Sequence, residues 1–377
     1  IFIAAISQLI QQLIANMTVV ALPNILVDLN FTADSIMWVN LIYLCVFVAF
    51  CIPFSKIISQ YGIKKCLYFS IAALLISVVI SIFSFNLYML LLSRFIQGIT
   101  SASLSVSLYV MVVEGLSEKD LGTALGIVAS SGYVGMLIAP PFMGLIIYLA
   151  NWRLAFLILI PILIVILFLL TRIDKEWTIE NEHINYFGSS LYIVMMFLFT
   201  LGIATLDEYG AIPLIISFIL LIVFIRYEKT HPRPIYDFKL LKDIRYLIGN
   251  YAAMVTYFTT TIAITALSFH LQYILNFEEY LIGLVLIISP TIMIGMSGVA
   301  GKLSDKIDPR VISGIAMSFI SAAMIIFFFI DYISIELIYI GCVFQGLGNG
   351  LFSAPNNKYV LTLVEEKDLP DAISFLS

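Results

Sequence analysis

Residues 154–171 read LAFLILIPILIVILFLLT and contain no charged side chain. A helix of this length rises by about 27 Å, which nearly matches the ~30 Å hydrocarbon core of a bilayer. The whole 377-residue chain is similar in character, with 62% hydrophobic residues, 11% charged residues and a mean hydropathy of +1.07. Soluble domains average about 45–50% apolar and about 25% charged residues. The composition therefore excludes a soluble domain and predicts an α-helical integral membrane protein.

Apolar blocks between polar or turn-rich breaks predict twelve membrane spans. They cover 1–22, 36–55, 66–84, 87–113, 122–149, 154–172, 187–205, 211–227, 246–275, 280–300, 311–330 and 335–363. A thirteenth span is expected to begin near Ala372. Because the first residue is Ile1 and only a short apolar segment follows Ala372, we interpret the sequence as a fragment, trimmed slightly at its start and more at its end.

Charge predicts the orientation and the partners. Of the 19 lysines and arginines, 17 lie in the breaks after even-numbered spans, so the positive-inside rule places these breaks and the N-terminus in the cytoplasm. We expect a multi-pass protein of the cell (inner) membrane whose partner is the lipid bilayer. The net charge is −5 and no basic run occurs, so nucleic acid is not an expected partner.

The four cysteines lie in or beside apolar blocks without a CxxC pair, which favours apolar packing over a metal site.

The chain repeats itself over a distance of about 250 residues. Gln97-Gly98 and the segment 117–121 recur 248 positions later, at Gln345-Gly346 and 365–369. Segments 55–59 and 301–305 are related in the same way, 246 positions apart. Repeats of equal orientation indicate two pseudo-symmetric halves of six spans each. We therefore predict an all-α fold in three regions.

The first region is an N-terminal six-helix bundle over residues 1–172. Spans 7 and 8 have no counterpart in the repeat, so residues 173–245 are predicted to form an inserted two-helix hairpin and a cytoplasmic linker. Residues 246–377 form a C-terminal bundle that is incomplete in this sequence.

Several segments resemble motifs of the major facilitator superfamily, and within it of the fourteen-span drug:proton antiporters. Residues 301–310 are similar to its cytoplasmic loop motif, and residues 94–98 to its arginine-x-x-glutamine-glycine motif. Span 5 resembles the glycine- and proline-rich antiporter motif, and residues 151–156 resemble a segment typical of the fourteen-span group. The resemblance implies a monomeric secondary transporter, without enzymatic activity or cofactor, that exports small lipophilic or cationic compounds by alternating access in exchange for protons.

Two other interpretations stay open. One is a transporter of a specific metabolite, and the other is a transport-inactive sensor on the same scaffold. The sensor would suit the changes in segment 55–59, where Ser55 and Ser59 replace the glycine and aspartate of the loop motif. Walker, HExxH and GxSxG motifs are missing from the sequence, which argues against an enzyme.

One group of candidate residues concerns the conformational change. Glycines allow helices to approach closely, and an aspartate with basic neighbours can join helix ends through charge-assisted hydrogen bonds. Because Ser59 replaces the aspartate, a weaker contact is expected in the first half, where Glu114 could pair with Lys64 or Lys65. The candidates are Lys64, Lys65, Glu114, Gly126, Gly135, Pro140, Gly144, Gly301, Asp305 and Arg310.

A second group is predicted to contact substrate. Gln8, Gln12 and Asn16 recur every four residues, so they form a polar stripe on one helix face that lines a cavity or hydrogen-bonds a neighbouring helix. Arg94 lies inside span 4 and either faces a wet cavity or extends to the interface. Polarity and depth add further residues, each of which is also an ordinary packing residue in membrane helices. They are Tyr43, Gln97, Tyr133, Tyr257, Gln345 and Asn349.

The coupling group is not evident in the sequence. None of the 24 aspartates and glutamates lies in the middle of a span, and the deepest is Glu114. Proton antiport normally uses a buried carboxylate. His270 is a candidate for the coupling group, but a lone membrane histidine more often forms a hydrogen bond with a neighbouring helix. The resemblance implies an acid in span 13, which would lie beyond Ser377.

Overall fold

The computed structural model describes residues 1–30, 33–172, 184–206, 209–232, 234–236, 238–330 and 334–376. Within these ranges the regular structure is helical. The long helices are α1 (Phe2–Asp28), α2 (Ala33–Tyr61), α3 (Ile63–Ile82), α4 (Leu87–Gly115), α5 (Glu118–Leu149), α6 (Trp152–Thr171), α7 (Tyr186–Ala204), α8 (Ala211–Thr230), α9 (Ile244–Phe269), α10 (Glu279–Leu286), α11 (Ile288–Ser304), α12 (Pro309–Phe328), α13 (Ile335–Thr362) and α14 (Leu369–Leu376). Short 3₁₀ turns cover Leu240–Lys242 and Glu366–Asp368, and a π turn covers His270–Ile274.

Twelve membrane-spanning candidates are found among the described residues, which confirms the all-helical membrane architecture. Polar residues in the breaks start several of these helices by accepting backbone hydrogen bonds. The Asn86 side chain accepts from the Met89 N–H at 2.8 Å, and the Asp308 side chain accepts from the Arg310 N–H at 2.9 Å. Pro309 follows Asp308 in the first helical turn, where its missing N–H costs nothing.

The tenth span is divided, although the sequence predicts one continuous segment over 280–300. Helix α10 ends at Leu286, and α11 begins at Ile288. Pro290 lies in the first turn of α11 and has no N–H for the carbonyl of Leu286. This missing bond gives a physical reason for the break.

Each half is built around one central helix. Helix α4 packs against α2 and α3 in the first half, and α13 packs against α11, α12 and α9 in the second. Helix α7 packs against α8 and α2. The halves meet chiefly where α5 contacts α11 and where α14 contacts α2. The sequence repeat relates α2 to α11 and α5 to α14, so these two contacts are equivalent under the pseudo-symmetry.

Small residues bring α5 and α11 together. A Cβ added to Gly126 would lie only 2.6 Å from the carbonyl oxygen of Ser297, and one added to Gly301 would collide with the backbone of Gly122. The Ser297 hydroxyl donates to the carbonyl of Gly126 at 3.2 Å. Glycine is therefore required on both sides of this contact.

The other residues of the span 5 motif lie elsewhere. Gly135 packs on Leu9 and Gln12 of α1, within its own half. Pro140 and Gly144 are exposed, and no atom lies within 4 Å of a Cβ added to Gly144. The helices α5 and α11 are thus in close contact near the start of α5 and not at its opposite end. The contact lies on the side of the protein that carries the loops rich in lysine and arginine, such as 302–310, and this side is here called the basic side.

Gly126→Val should destabilise the protein by about 1–3 kcal/mol, because the added methyl groups overpack the contact between α5 and α11. The measurement is thermal unfolding of the purified protein in detergent. Gly314→Val is the matched control, since Gly314 also lies inside a helix but a Cβ there meets no atom within 4 Å. Equal melting temperatures for the two variants would contradict the packing argument.

Candidate functional site

A cavity of about 280 Å³ lies between the two halves of the protein. Helices α1, α4 and α5 line it from the first half, and α9, α11 and α13 line it from the second. Six of the predicted substrate residues belong to its wall, namely Gln8, Gln12, Tyr133, Tyr257, Gln345 and Asn349. A second cavity of about 230 Å³ shares part of this wall and extends to Leu361, Ile373 and Leu376.

The wall also contains residues that sequence reasoning did not select. Tyr109, Thr256, Thr260, Ser353 and Asn357 add hydroxyl, amide and aromatic groups. Tyr109 lies twelve positions after Gln97 on α4, and a search for aromatic residues along that helix would have found it. Among the described residues that line the two cavities, none carries a formal charge. The wall formed by these residues is therefore uncharged and largely apolar, with polar and aromatic groups among the apolar side chains.

Arg94, Gln97 and Tyr43 do not line either cavity. They form a polar cluster inside the first half, where Arg94 is only 1% exposed. Arg94 Nε donates to the carbonyl of Val39 at 3.0 Å, and Nη1 donates to Gln97 Oε1 at 2.7 Å and to Thr18 Oγ1 at 3.2 Å. Its guanidinium carbon lies 4.4 Å from the centre of the Tyr43 ring.

This cluster joins α4 to α1 and α2, because its partners lie on all three helices. Asn16 is also absent from the cavity wall, and its amide donates to the carbonyl of Gln12 at 2.8 Å. Polarity and depth are the same for a side chain that faces a cavity and for one that joins two helices. They were therefore not sufficient to separate the two groups.

Asp305 joins the two halves at the basic side. Its Oδ1 accepts from the Gly122 N–H at 2.8 Å and from Lys358 Nζ at 2.6 Å. Its Oδ2 accepts from the Thr123 N–H at 2.8 Å and from the Thr123 hydroxyl at 2.6 Å. One carboxylate thus connects the end of α11 to the second turn of α5 and to α13.

The environment of Asp305 favours its ionised form. Burial by itself would raise the pKa of this carboxyl, but the hydrogen bonds from Lys358, Thr123 and Gly122 outweigh burial and lower the pKa. The contact is therefore complete at neutral pH and is lost only as pH falls through that lowered pKa.

A second contact lies at the pseudo-symmetric position. The carboxylate of Asp371 accepts from the Ser55 hydroxyl at 2.7 Å and from Lys56 Nζ at 2.8 Å. The Asp371 side chain is 3% exposed and the Lys56 side chain 12%. The sequence predicted a weaker contact here because Ser59 replaces an aspartate. The structure shows that the acid comes from α14 instead.

The repeat carried a signal for this second contact. Asp371 is equivalent to Thr123 at the 248-residue offset, and Lys56 is equivalent to Lys302 at the 246-residue offset. Aligning both segments places an acid and a base on the helix pair equivalent to α5 and α11. The loop motif alone pointed to Ser59 and not to these two residues.

Four further gating candidates lie at the basic side. Arg310 pairs with Asp308 at 2.6 Å, two residues away, and is well exposed. Lys64 and Lys65 lie in the first turn of α3, and Glu114 lies near the end of α4. The pairing predicted between them stays a prediction.

The family model of the Major Facilitator Superfamily matches residues 4–377. This chain belongs to that superfamily. This chain is 26% identical to the riboflavin transporter RibZ of Clostridioides difficile (strain 630) over 362 residues, and the alignment covers 95% of this chain and 79% of the relative. It is 25% identical to the drug efflux pump JefA of Mycobacterium tuberculosis (strain CDC 1551 / Oshkosh) over 323 residues, covering 82% of this chain and 63% of the relative.

Two solved structures of the superfamily have the same fold. The proton:xylose symporter XylE aligns with a TM-score of 0.67 at 12% identity, covering 100% of this chain and 84% of that chain. The human organic anion transporter MFSD10 aligns with a TM-score of 0.70 at 12% identity, covering 100% of this chain and 88% of that chain. At this level of identity the similarity shows the fold alone.

Arg94→Ala should destabilise this superfamily member by about 3 kcal/mol, because buried acceptors at Val39, Thr18 and Gln97 would lose their charged donor. Thermal unfolding of the purified protein measures the loss. The control is Arg245→Ala, since Arg245 pairs with Asp243 at the surface, where such a pair contributes less than about 1 kcal/mol. A melting temperature unchanged by Arg94→Ala would show that the cluster does not stabilise the fold.

Proposed function

We propose that this protein is a secondary active transporter that exports small lipophilic compounds by alternating access of its two halves, in exchange for protons. The observation that carries this proposal is the uncharged cavity between the halves, with polar contacts between the halves at the basic side. A transporter of this kind must expose one site to the two membrane surfaces in turn. The contacts of Asp305 and Asp371 can serve as the seal on one side.

The contacts that form this seal can break and form again. Charge-assisted hydrogen bonds are strong in a dry contact, and water can replace them when the helices separate. The helices themselves meet through glycines, which pack closely without interlocking large side chains. We take the basic side to be cytoplasmic, as the positive-inside rule predicts. The structure would then represent the state in which the cavity is closed to the cytoplasm.

The fourteen-span arrangement is part of the proposal. We infer that α7 and α8 are the inserted hairpin, since they pack against each other and α7 packs against α2 at the edge of the first half. Glu228 near the end of α8 accepts from Asn185 at 3.0 Å and from the Ile235 N–H, which holds the following linker against the pair. We propose that the transporter acts as a monomer in the cell membrane.

Transport of a specific metabolite is the second candidate function. The similarity to a protein named a riboflavin transporter favours it, since that alignment covers 95% of this chain. Aromatic and amide groups in the cavity suit such a substrate as well as a lipophilic one. A transport-inactive sensor is less favoured, because the missing loop aspartate is replaced by the contact between Lys56 and Asp371.

Export should lower the accumulation of two neutral lipophilic fluorophores, Nile red and acridone, in cells that lack their own efflux pumps and express the complete reading frame. A protonophore should restore the accumulation if export is coupled to protons. The readout is cell fluorescence at matched membrane abundance. Unchanged accumulation of both compounds would contradict lipophilic export and favour the metabolite transporter. Export that is insensitive to the protonophore would contradict proton antiport.

Lys56→Asp and Asp371→Lys should each open the seal, because each leaves two like charges in a buried contact. The reporter is Asn357→Cys in the cavity, which is labelled by a membrane-impermeant maleimide applied from the basic side. We expect each single variant to raise the labelling rate at least about threefold. The double variant should restore the slow rate. Arg310→Asp is the control, since that arginine is exposed and pairs only locally. If the double variant is labelled as fast as the single variants, the contact does not act as a seal.

A further inference from the structure

The central cavity can be assigned a class of substrate from its charge and its hydrogen-bonding groups. This inference rests on the proposed function, because it takes the cavity to be the transport site. The residues that decide it are two amides on α13, one amide on α1 and a set of tyrosines from both halves.

The first observation is the lack of charge in the wall. Among the described lining residues there is no aspartate, glutamate, lysine, arginine or histidine. Burying a cation without an opposite charge costs several kcal/mol or more. A cation–π contact with a tyrosine returns only about 0.5–2 kcal/mol. A neutral substrate is therefore favoured over a cationic one, which the sequence alone left open.

The second observation is a set of polar atoms without a partner. Gln345 and Asn349 are 2% and 4% exposed, and Gln345 Nε2 and Asn349 Nδ2 have no hydrogen-bond partner among the described residues. Both side chains line the cavity, and their spacing of four places them on one face of α13. Asn349 Oδ1 lies 3.0 Å from the Thr260 hydroxyl, whose single proton is shared with the Thr256 carbonyl at 2.7 Å. The α13 side of the cavity thus offers two donors.

The α1 side of the cavity offers a hydrogen-bond acceptor. Gln8 Oε1 is buried, lines the same cavity and has no described hydrogen-bond partner. A buried polar atom without a partner costs about 1–3 kcal/mol, so a ligand that pairs with all three atoms recovers that cost. Such a ligand must accept from the α13 side and donate to the α1 side.

The third observation concerns shape. Tyr109, Tyr133 and Tyr257 come from α4, α5 and α9, so aromatic surface reaches the cavity from both halves. Aromatic rings pack by stacking or edge-to-face contact. The volume of about 280 Å³ lies just below the ~300–1,000 Å³ typical of small-molecule sites. The ligand is therefore compact and contains an aromatic ring.

We propose that the transported compounds are compact, uncharged aromatic molecules that carry a carbonyl-type acceptor and an N–H or O–H donor. Gln345 and Asn349 donate to the acceptor, and Gln8 accepts from the donor. These three amides, from opposite halves of the protein, are the specificity-determining groups of the cavity.

Three tricyclic probes of nearly equal shape test this assignment. Acridone is neutral and has one carbonyl acceptor and one N–H donor, N-methylacridone lacks the donor, and N-methylacridinium is a cation with neither group. Their fluorescence gives the dissociation constant for the purified complete protein in nanodiscs. We expect acridone to bind at least about fivefold more tightly than N-methylacridone, and N-methylacridinium to bind more weakly still.

Variants connect the preference to the named residues. Gln345→Leu and Asn349→Leu should each weaken acridone binding at least about fivefold, and Gln8→Leu should abolish the difference between acridone and N-methylacridone. Gln272→Leu is the control, because it removes an amide that is exposed and absent from the cavity wall. The wild-type comparison of the three probes remains decisive if a leucine variant fails to fold.

The outcomes separate this assignment from the proposed function. If N-methylacridinium binds as tightly as acridone, if acridone does not bind, or if the leucine variants leave its affinity unchanged, the substrate class is wrong. The proposed function then still stands as long as Nile red is exported. If acridone binds with the expected preference but no compound is exported, the substrate class is supported and the proposed direction of transport fails.

Discussion

The charge-assisted contacts of one carboxylate organise the basic side of this protein. Hydrogen bonds to an ionised group are shorter and stronger than bonds between neutral groups. Asp305 accepts such bonds from Lys358 and from the N–H groups of Gly122 and Thr123 near the start of α5. The glycines of α5 and α11 let the two helices approach closely enough for these bonds to form.

The equivalent contact between α14 and α2 is also a pair of a carboxylate and a lysine, but its acid lies on the other helix of the pair. Asp371 lies in the first turn of α14 itself, and its partners Ser55 and Lys56 lie near the end of α2. In both contacts a carboxylate pairs with a lysine, which is Lys358 in one and Lys56 in the other. The pseudo-symmetry therefore preserves the electrostatic arrangement although it does not preserve the position of the acid.

Charge is kept away from the cavity between these contacts. Arg94, the deepest cation of the first half, is enclosed by Val39, Thr18 and Gln97 and does not reach the cavity wall. What remains in the wall are amides, hydroxyls and aromatic rings, together with apolar side chains such as Met136 and Met293. A low-dielectric site of this kind makes each unpaired amide expensive, so hydrogen bonding rather than ion pairing discriminates among ligands.

The sequence by itself determined the class of the protein, its twelve membrane-spanning candidates and the repeat behind its two halves. These features depend on composition and on local patterns along the chain, which any single segment displays. Periodicity also grouped Gln8 with Gln12 and Gln345 with Asn349, because residues four apart share a helix face. Only the tertiary structure decided which neighbour each face meets. Gln12 faces the cavity while Asn16 and Arg94 do not, and Lys56 meets an acid 315 positions away. Such pairings depend on how the helices pack, and packing is a property of the whole bundle rather than of any segment.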